Sequence, residues 1–79
     1  MTLMTMEILL EMKYQQAKRM LDKKAPYYWE YRVEGRYALV NEVTMKTVLG
    51  VNSRLDAIAL TRSLIQEGYK IAKMDDLGD

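Results

Sequence analysis

Apolar positions recur at two different periods along the chain, and the switch between them outlines the elements. Over residues 5–24, Met6, Leu9, Leu10, Tyr14, Ala17, Met20 and Leu21 share one side of a helical wheel, interrupted by Lys13. That spacing predicts an amphipathic helix. Thr5 is placed to cap it, and Pro26 to end it, because the residue before a proline avoids the helical region. Ile8 and Met12 lie one turn apart on the opposite side, a second and smaller apolar face. From Tyr27 to Val33 the chain is aromatic and β-branched, which predicts a strand. Glu34-Gly35 is a turn signal, and 36–43 predicts the second strand of a hairpin.

The hairpin admits two registers. A two-residue turn pairs Trp29 with Val40 and gathers Tyr27, Trp29, Tyr31, Val33, Ala38 and Val40 on one face. A three-residue connection gathers Tyr27, Trp29, Tyr31, Val33, Tyr37, Leu39 and Val43 instead. The second set is more apolar, and its opposite face carries Glu30, Arg32 and Glu42, so it is preferred; a one-residue slip would swap every face. Thr47–Val51 reads as a third strand after a turn near 44–46. No Gly, Asn or Pro marks that turn, and a short helix over 42–49 is the competing reading.

The strongest signal is Ser53 to Met74. Ser53 is an N-cap with Asp56 three residues on as the acidic half of a capping box. Ala57, Ile58, Leu60, Thr61, Leu64 and Ile65 fill one apolar arc. Gly68 supplies a left-handed stop, and 69–74 reads as a final strand. The order is helix, two or three strands, helix, strand. It predicts one small α+β domain over 1–79: an antiparallel sheet of three to four strands with both helices on one face, and a frayed acidic tail at 75–79. The last strand must join the sheet beside an earlier one or pair with another chain.

Composition narrows the picture. Seventy-nine residues, 49% apolar and 29% charged, suit a single globular domain. A chain this short buries only roughly 60% of its extended surface. With no cysteine and no histidine, neither a disulfide nor a zinc site of the usual ligands closes the core. Packing alone must do so, or a second copy, so a homodimer is expected. The net charge of +1 gives no global pull toward nucleic acid or an anionic membrane. Lys13, Lys18, Arg19, Lys23 and Lys24 nevertheless make one end of the first segment basic. No run approaches the ~20 apolar residues of a membrane span. Met1–Leu10 lacks the basic region and cleavage site of an export signal, so a cytoplasmic location is expected.

The catalytic inventory is thin. A triad has no histidine or cysteine to build on, and Gly35, Gly50, Gly68 and Gly78 are isolated, so no phosphate loop forms. Glu7 with Glu11, and Asp75 with Asp76, read as dipole compensation and tail solubility rather than as a metal cage. No enzyme and no cofactor is expected. The aromatic run Tyr27, Tyr28, Trp29, Tyr31 and Tyr37 reads mainly as core, leaving Tyr28 and Arg32 as an aromatic-basic spot on the outer sheet face. The leading expectation is a small interaction module, regulatory or inhibitory in the manner of compact prokaryotic or phage accessory proteins. It would bind a protein partner through Ile8, Met12, Tyr28 and Arg32. The alternative is a nucleic-acid binder using Arg32, Arg36, Lys46 and Arg54.

The order helix-strand-strand-strand-helix resembles that of double-stranded RNA-binding domains, and Ser53-Arg54 stands where those domains open a helix with a basic cluster. Leu55 and Asp56 follow where further positive charge would be wanted. That departure removes the phosphate-reading device, and membership of the family does not follow.

Overall fold

The computed structural model describes the backbone of residues 2–72 and the side chains of residues 10–72. It shows α1 (Thr2–Met20), β1 (Pro26–Tyr31), β2 (Tyr37–Asn41), β3 (Thr47–Val51), α2 (Arg54–Gln66) and β4 (Lys70–Ile71). The strands form one sheet in the order β3-β2-β1-β4. The first three are an antiparallel meander, and β4 joins β1 in parallel. The expected α+β architecture is therefore found, with a mixed rather than wholly antiparallel sheet. The reason is topological. α2 crosses the sheet from one edge strand to the other, and a strand entered through such a crossover runs parallel to the one it left.

Where α1 stops is decided by local chemistry rather than by Pro26. The helix runs from Thr2, so Thr5 lies inside it and is not its cap. At the other end the Asp22 carboxylate accepts the Lys24 N–H at 2.9 Å, and the Asp22 carbonyl accepts the Ala25 N–H at 3.0 Å. This Asx turn ends the helix at Met20, several residues before the proline. Two tyrosines then bind the helix end to the rest of the fold. The Tyr27 hydroxyl accepts the Asp22 N–H at 2.8 Å, and the Tyr69 hydroxyl donates to the Lys18 carbonyl at 3.3 Å.

The hairpin combines features of both expected registers. Glu34 and Gly35 have φ of 60° and 78°, and the Arg36 N–H closes the turn on the Val33 carbonyl at 3.3 Å. Two central residues with positive φ mark the type I′ turn favoured in tight hairpins. Such a turn alone would pair Trp29 with Val40. Instead the Arg32 N–H also reaches the Arg36 carbonyl, at 2.7 Å, so Arg32 and Val33 together oppose Arg36. This bulge shifts the register by one, and Trp29 faces Leu39. The preferred face is thereby realised for Tyr27, Trp29, Tyr37 and Leu39, all buried. Tyr31 shares this face but is 58% exposed, and Val33 and Val43 do not belong to it. They sit in the two turns and are 71% and 73% exposed.

The β2–β3 connection is marked after all, by Asn41. Its side-chain oxygen accepts the N–H groups of Val43 (2.8 Å) and Thr44 (3.1 Å), and Met45 turns left-handed with φ 63°. β2 ends at Asn41, not at residue 43, because that side chain starts the turn. The third segment is a strand; no short helix forms there.

The core lies between the sheet and the two helices. Ala17 and Leu21 of the α1 segment and Ala57, Leu60 and Leu64 of α2 pack on Tyr27, Trp29, Leu39, Leu49, Val51 and Ile71. Met20, expected on the apolar stripe, is half exposed. α2 begins as its sequence suggests: Ser53 Oγ accepts the Asp56 N–H at 3.1 Å. It ends before Gly68, whose φ is 103°. Thr61, the polar member of the arc, serves the tryptophan. The Trp29 indole N–H donates to Thr61 Oγ1 at 2.6 Å, and Thr61 Oγ1 donates to the Ala57 carbonyl at 2.7 Å. Among the described residues no buried side-chain polar atom lacks a partner, as a small core requires.

Candidate functional site

The fold offers two broad surfaces: the outer sheet face, and the flank of α1 that turns away from the core. The outer face consists of Tyr28, Glu30 and Arg32 from the β1 side, Ala38 and Val40 from β2, and Thr47 and Gly50 from β3. Although neither α1 nor α2 covers this face, Ala38 is only 5% and Val40 only 2% exposed. Their cover comes from the face itself. The Arg32 guanidinium reaches Glu30 at 3.1 Å and, across β2, the Thr47 hydroxyl at 3.1 Å. Tyr28, half buried, stands directly opposite Val40. A small polar lattice therefore lies over the central strand, with the half-exposed Arg32 guanidinium tied into it.

The α1 flank is different. Met12 is 60% exposed. Together with Leu10, Lys13, Gln16 and Arg19 it faces Val51, Asn52 and Asp56 across a groove of about 640 Å³. The i, i+4, i+7 spacing of Met12, Gln16 and Arg19 puts them on one line down the helix. Charges of both signs rim the groove, with Lys13 and Arg19 against Glu11 and Asp56. On the other side of the helix, the Tyr14 phenol is held above its ordinary value of 10.0, first by desolvation and then by the nearby Glu67 carboxylate. The Lys18 ammonium lies 4.9 Å from the centre of the Tyr14 ring, within cation–π range.

The residues expected to bind a protein partner do not form one patch. Met12 lies on the helix layer, whereas Tyr28 and Arg32 lie on the opposite face of the sheet. Ile8 falls in α1, but its side chain lies outside the described residues, as do those of Met1, Leu3, Met4 and Glu7 and the whole tail from Lys73. Of the basic residues expected for nucleic acid, Arg36 opens β2 and Arg54 follows the end of β3 that pairs with Tyr37. These two and Arg32 therefore belong to one end of the sheet. Lys46 belongs to the other end, on the order of 15 Å away, since β2 rises about 3.3 Å per residue. At the arginine end Tyr31 is exposed and packs edge-on against Tyr37, with ring centres 5.4 Å apart.

Two further features escaped the sequence reading. Asn41 builds the second turn, and β3 is an edge strand carrying no charged residue. The second feature was within reach: Thr47–Val51 is the one predicted strand without a charge. Among the described residues no group of three His, Cys, Asp or Glu side chains comes together, and no helix is long and apolar enough to cross a membrane. Comparison of the chain with protein-family models, curated proteins and solved structures returned no match.

Proposed function

We propose that this chain is a small, non-enzymatic, cytoplasmic interaction module that regulates or inhibits a protein partner by docking on it, and that it works as a homodimer. The observation that carries the reading is the α1 flank, where an exposed methionine stands over a groove beside Val51. Methionine adapts to varied partner shapes, and a helix flank left outside the core is a common docking element. The outer sheet face contributes a second contact through Tyr28. Chemistry by the chain itself is disfavoured by its lack of histidine and cysteine.

A photo-crosslinking amino acid placed at Met12 or at Tyr28, in the protein expressed in its native cell, tests this. Protein adducts that survive nuclease treatment are expected from both positions. Adducts that vanish with nuclease would instead support the second reading, nucleic-acid binding, which the placement of Arg36 and Arg54 at one sheet end favours. That reading further requires retarded migration of DNA or RNA at low salt, lost steeply as salt rises.

A further inference from the structure

The hydrogen-bond ladder shows which backbone groups remain unpaired. Arg32 N–H bonds to the Arg36 carbonyl and Glu42 N–H to the Pro26 carbonyl. Hydrogen-bonded and non-bonded pairs alternate along an antiparallel ladder. Between those two bonds, Glu30↔Ala38 and Tyr28↔Val40 are therefore the bonded pairs of β1 and β2. Tyr37 and Leu39 must turn their N–H and C=O groups the other way, toward Val51 and Leu49 of β3. Gly50, opposite Ala38, consequently turns its N–H and C=O outward from the sheet.

We propose that this edge is the seam of a two-fold homodimer, in which β3 pairs antiparallel with β3 of a second copy about Gly50; it deepens the dimeric part of the reading above. Four features favour it. Natural edge strands are usually blunted by charge, proline, a bulge or brevity. β4, at the opposite edge, is two residues long and carries Lys70, whereas β3 has five residues, none of them charged and none proline. The bulge in the β2–β3 pairing falls between Leu39 and Val40, so Leu49-Gly50-Val51 is left as a regular stretch. That stretch is close to symmetric about its glycine. Paired with itself it exchanges two N–H···O bonds at Gly50, with no side chain in the way, and sets Leu49 against Val51 on the helix side.

The groove matches the seam as well. Val51, one residue from the two-fold axis, lines it beneath Met12. A two-fold perpendicular to the sheet keeps both copies' helices on one side, so the two grooves meet across the seam and cover each other's apolar floor. Their mixed charges, Lys13 and Arg19 with Glu11 and Asp56, suit a self-complementary contact better than a partner of a single sign. The occupant of this groove that fits edge, symmetry and charge together is a second copy of this chain, which leaves the outer sheet face with Tyr28 to the protein partner.

Analytical ultracentrifugation over a wide concentration series tests the seam on the intact chain. The natural sequence is expected to sediment as a monomer–dimer equilibrium. Gly50→Pro removes the outward N–H at an edge position where proline is tolerated. A Cβ there meets only the Tyr37 carbonyl oxygen, at an ordinary 3.5 Å, and Gly50 is not among the left-handed residues. It is expected to weaken dimerisation by at least about tenfold. Met12→Asp, at an exposed helical position that folding does not need, should do the same. Ile65→Asp, on the far side of α2 toward β4, should leave the dimer intact. A natural sequence that stays monomeric at every concentration overturns the seam, as does a dimer indifferent to both Gly50→Pro and Met12→Asp. A monomer that still forms protein adducts through Met12 overturns the seam and the homodimer with it, and leaves partner docking standing, whereas a dimer indifferent to both variants overturns the seam alone.

Discussion

The two sides of this small domain are finished to different degrees. Where α2 lies against Trp29 and β4, every polar handle has a receiver. The indole is held by Thr61, Thr61 by the Ala57 carbonyl, and the Tyr69 hydroxyl by the end of α1. Where α1 lies over β3, a methionine is exposed, a groove stays open, and Gly50 turns its backbone to the sheet margin. The contrast teaches where stability and binding reside. A 79-residue chain has too little interior to complete both sides. The more completely packed side is the one with the aromatic ring and the three buried α2 side chains, and the other keeps an exposed methionine and an open groove.

This comparison breaks most visibly at α2. Leu60→Ala is expected to cost about 2–5 kcal/mol by denaturant unfolding, because Leu60 is almost wholly buried and the space it leaves collapses incompletely. A loss below about 1 kcal/mol would show that the completed side is not where the stability lies. Next in size, Thr61→Val keeps the shape but strands the Trp29 indole N–H, at a cost of about 1–3 kcal/mol. Tryptophan fluorescence should report the altered surroundings in the folded state. Ser53→Ala removes the acceptor of the Asp56 N–H and should cost about 1 kcal/mol. Met12→Asp, on the unfinished side, should change monomer stability by no more than about 0.5 kcal/mol, the range of ordinary surface changes. Equal stability losses at Met12 and Thr61 would erase the distinction between the two sides.

The smallest effect concerns Tyr14. Its phenol titrates above 10.0 in the folded chain, so its contribution to stability is fully present below that value and is lost as pH rises through the higher folded value. A spectroscopic titration of Tyr14, identified as the component lost in Tyr14→Phe, should place its midpoint above that of an unfolded peptide. Glu67→Gln should lower it, by removing the second of the two main causes. A midpoint unmoved by that change would remove the carboxylate from the account.

Elements governed by neighbours in sequence were legible from sequence alone. Ser53 as cap, Gly68 as stop and the part of the α2 arc that is buried, Ala57, Leu60 and Leu64 but not the exposed Ile65, require only residues within a turn of one another. The buried alternation Tyr27-Trp29 with Tyr37-Leu39 was legible for the same reason, since one face of a sheet must be apolar. Candidate sites were less legible. Met12 stood out as an apolar residue on the wrong side of its helix. Nothing in the string of letters places Tyr28 and Arg32 on the far face from it, or shows Arg32 tied across β2 to Thr47.

The order of the elements, the apolar faces and the poverty of reactive side chains are written in the string of residues, because periodicity and composition are local properties of the chain. Tertiary structure alone decided that β4 would lie parallel to β1, that a bulge at Arg32-Val33 would override the turn's own register, and that β3 would end the sheet with Gly50 facing outward. Each of these depends on which distant segments share hydrogen bonds. A strand's N–H groups look the same in sequence whether they meet a neighbour or open space.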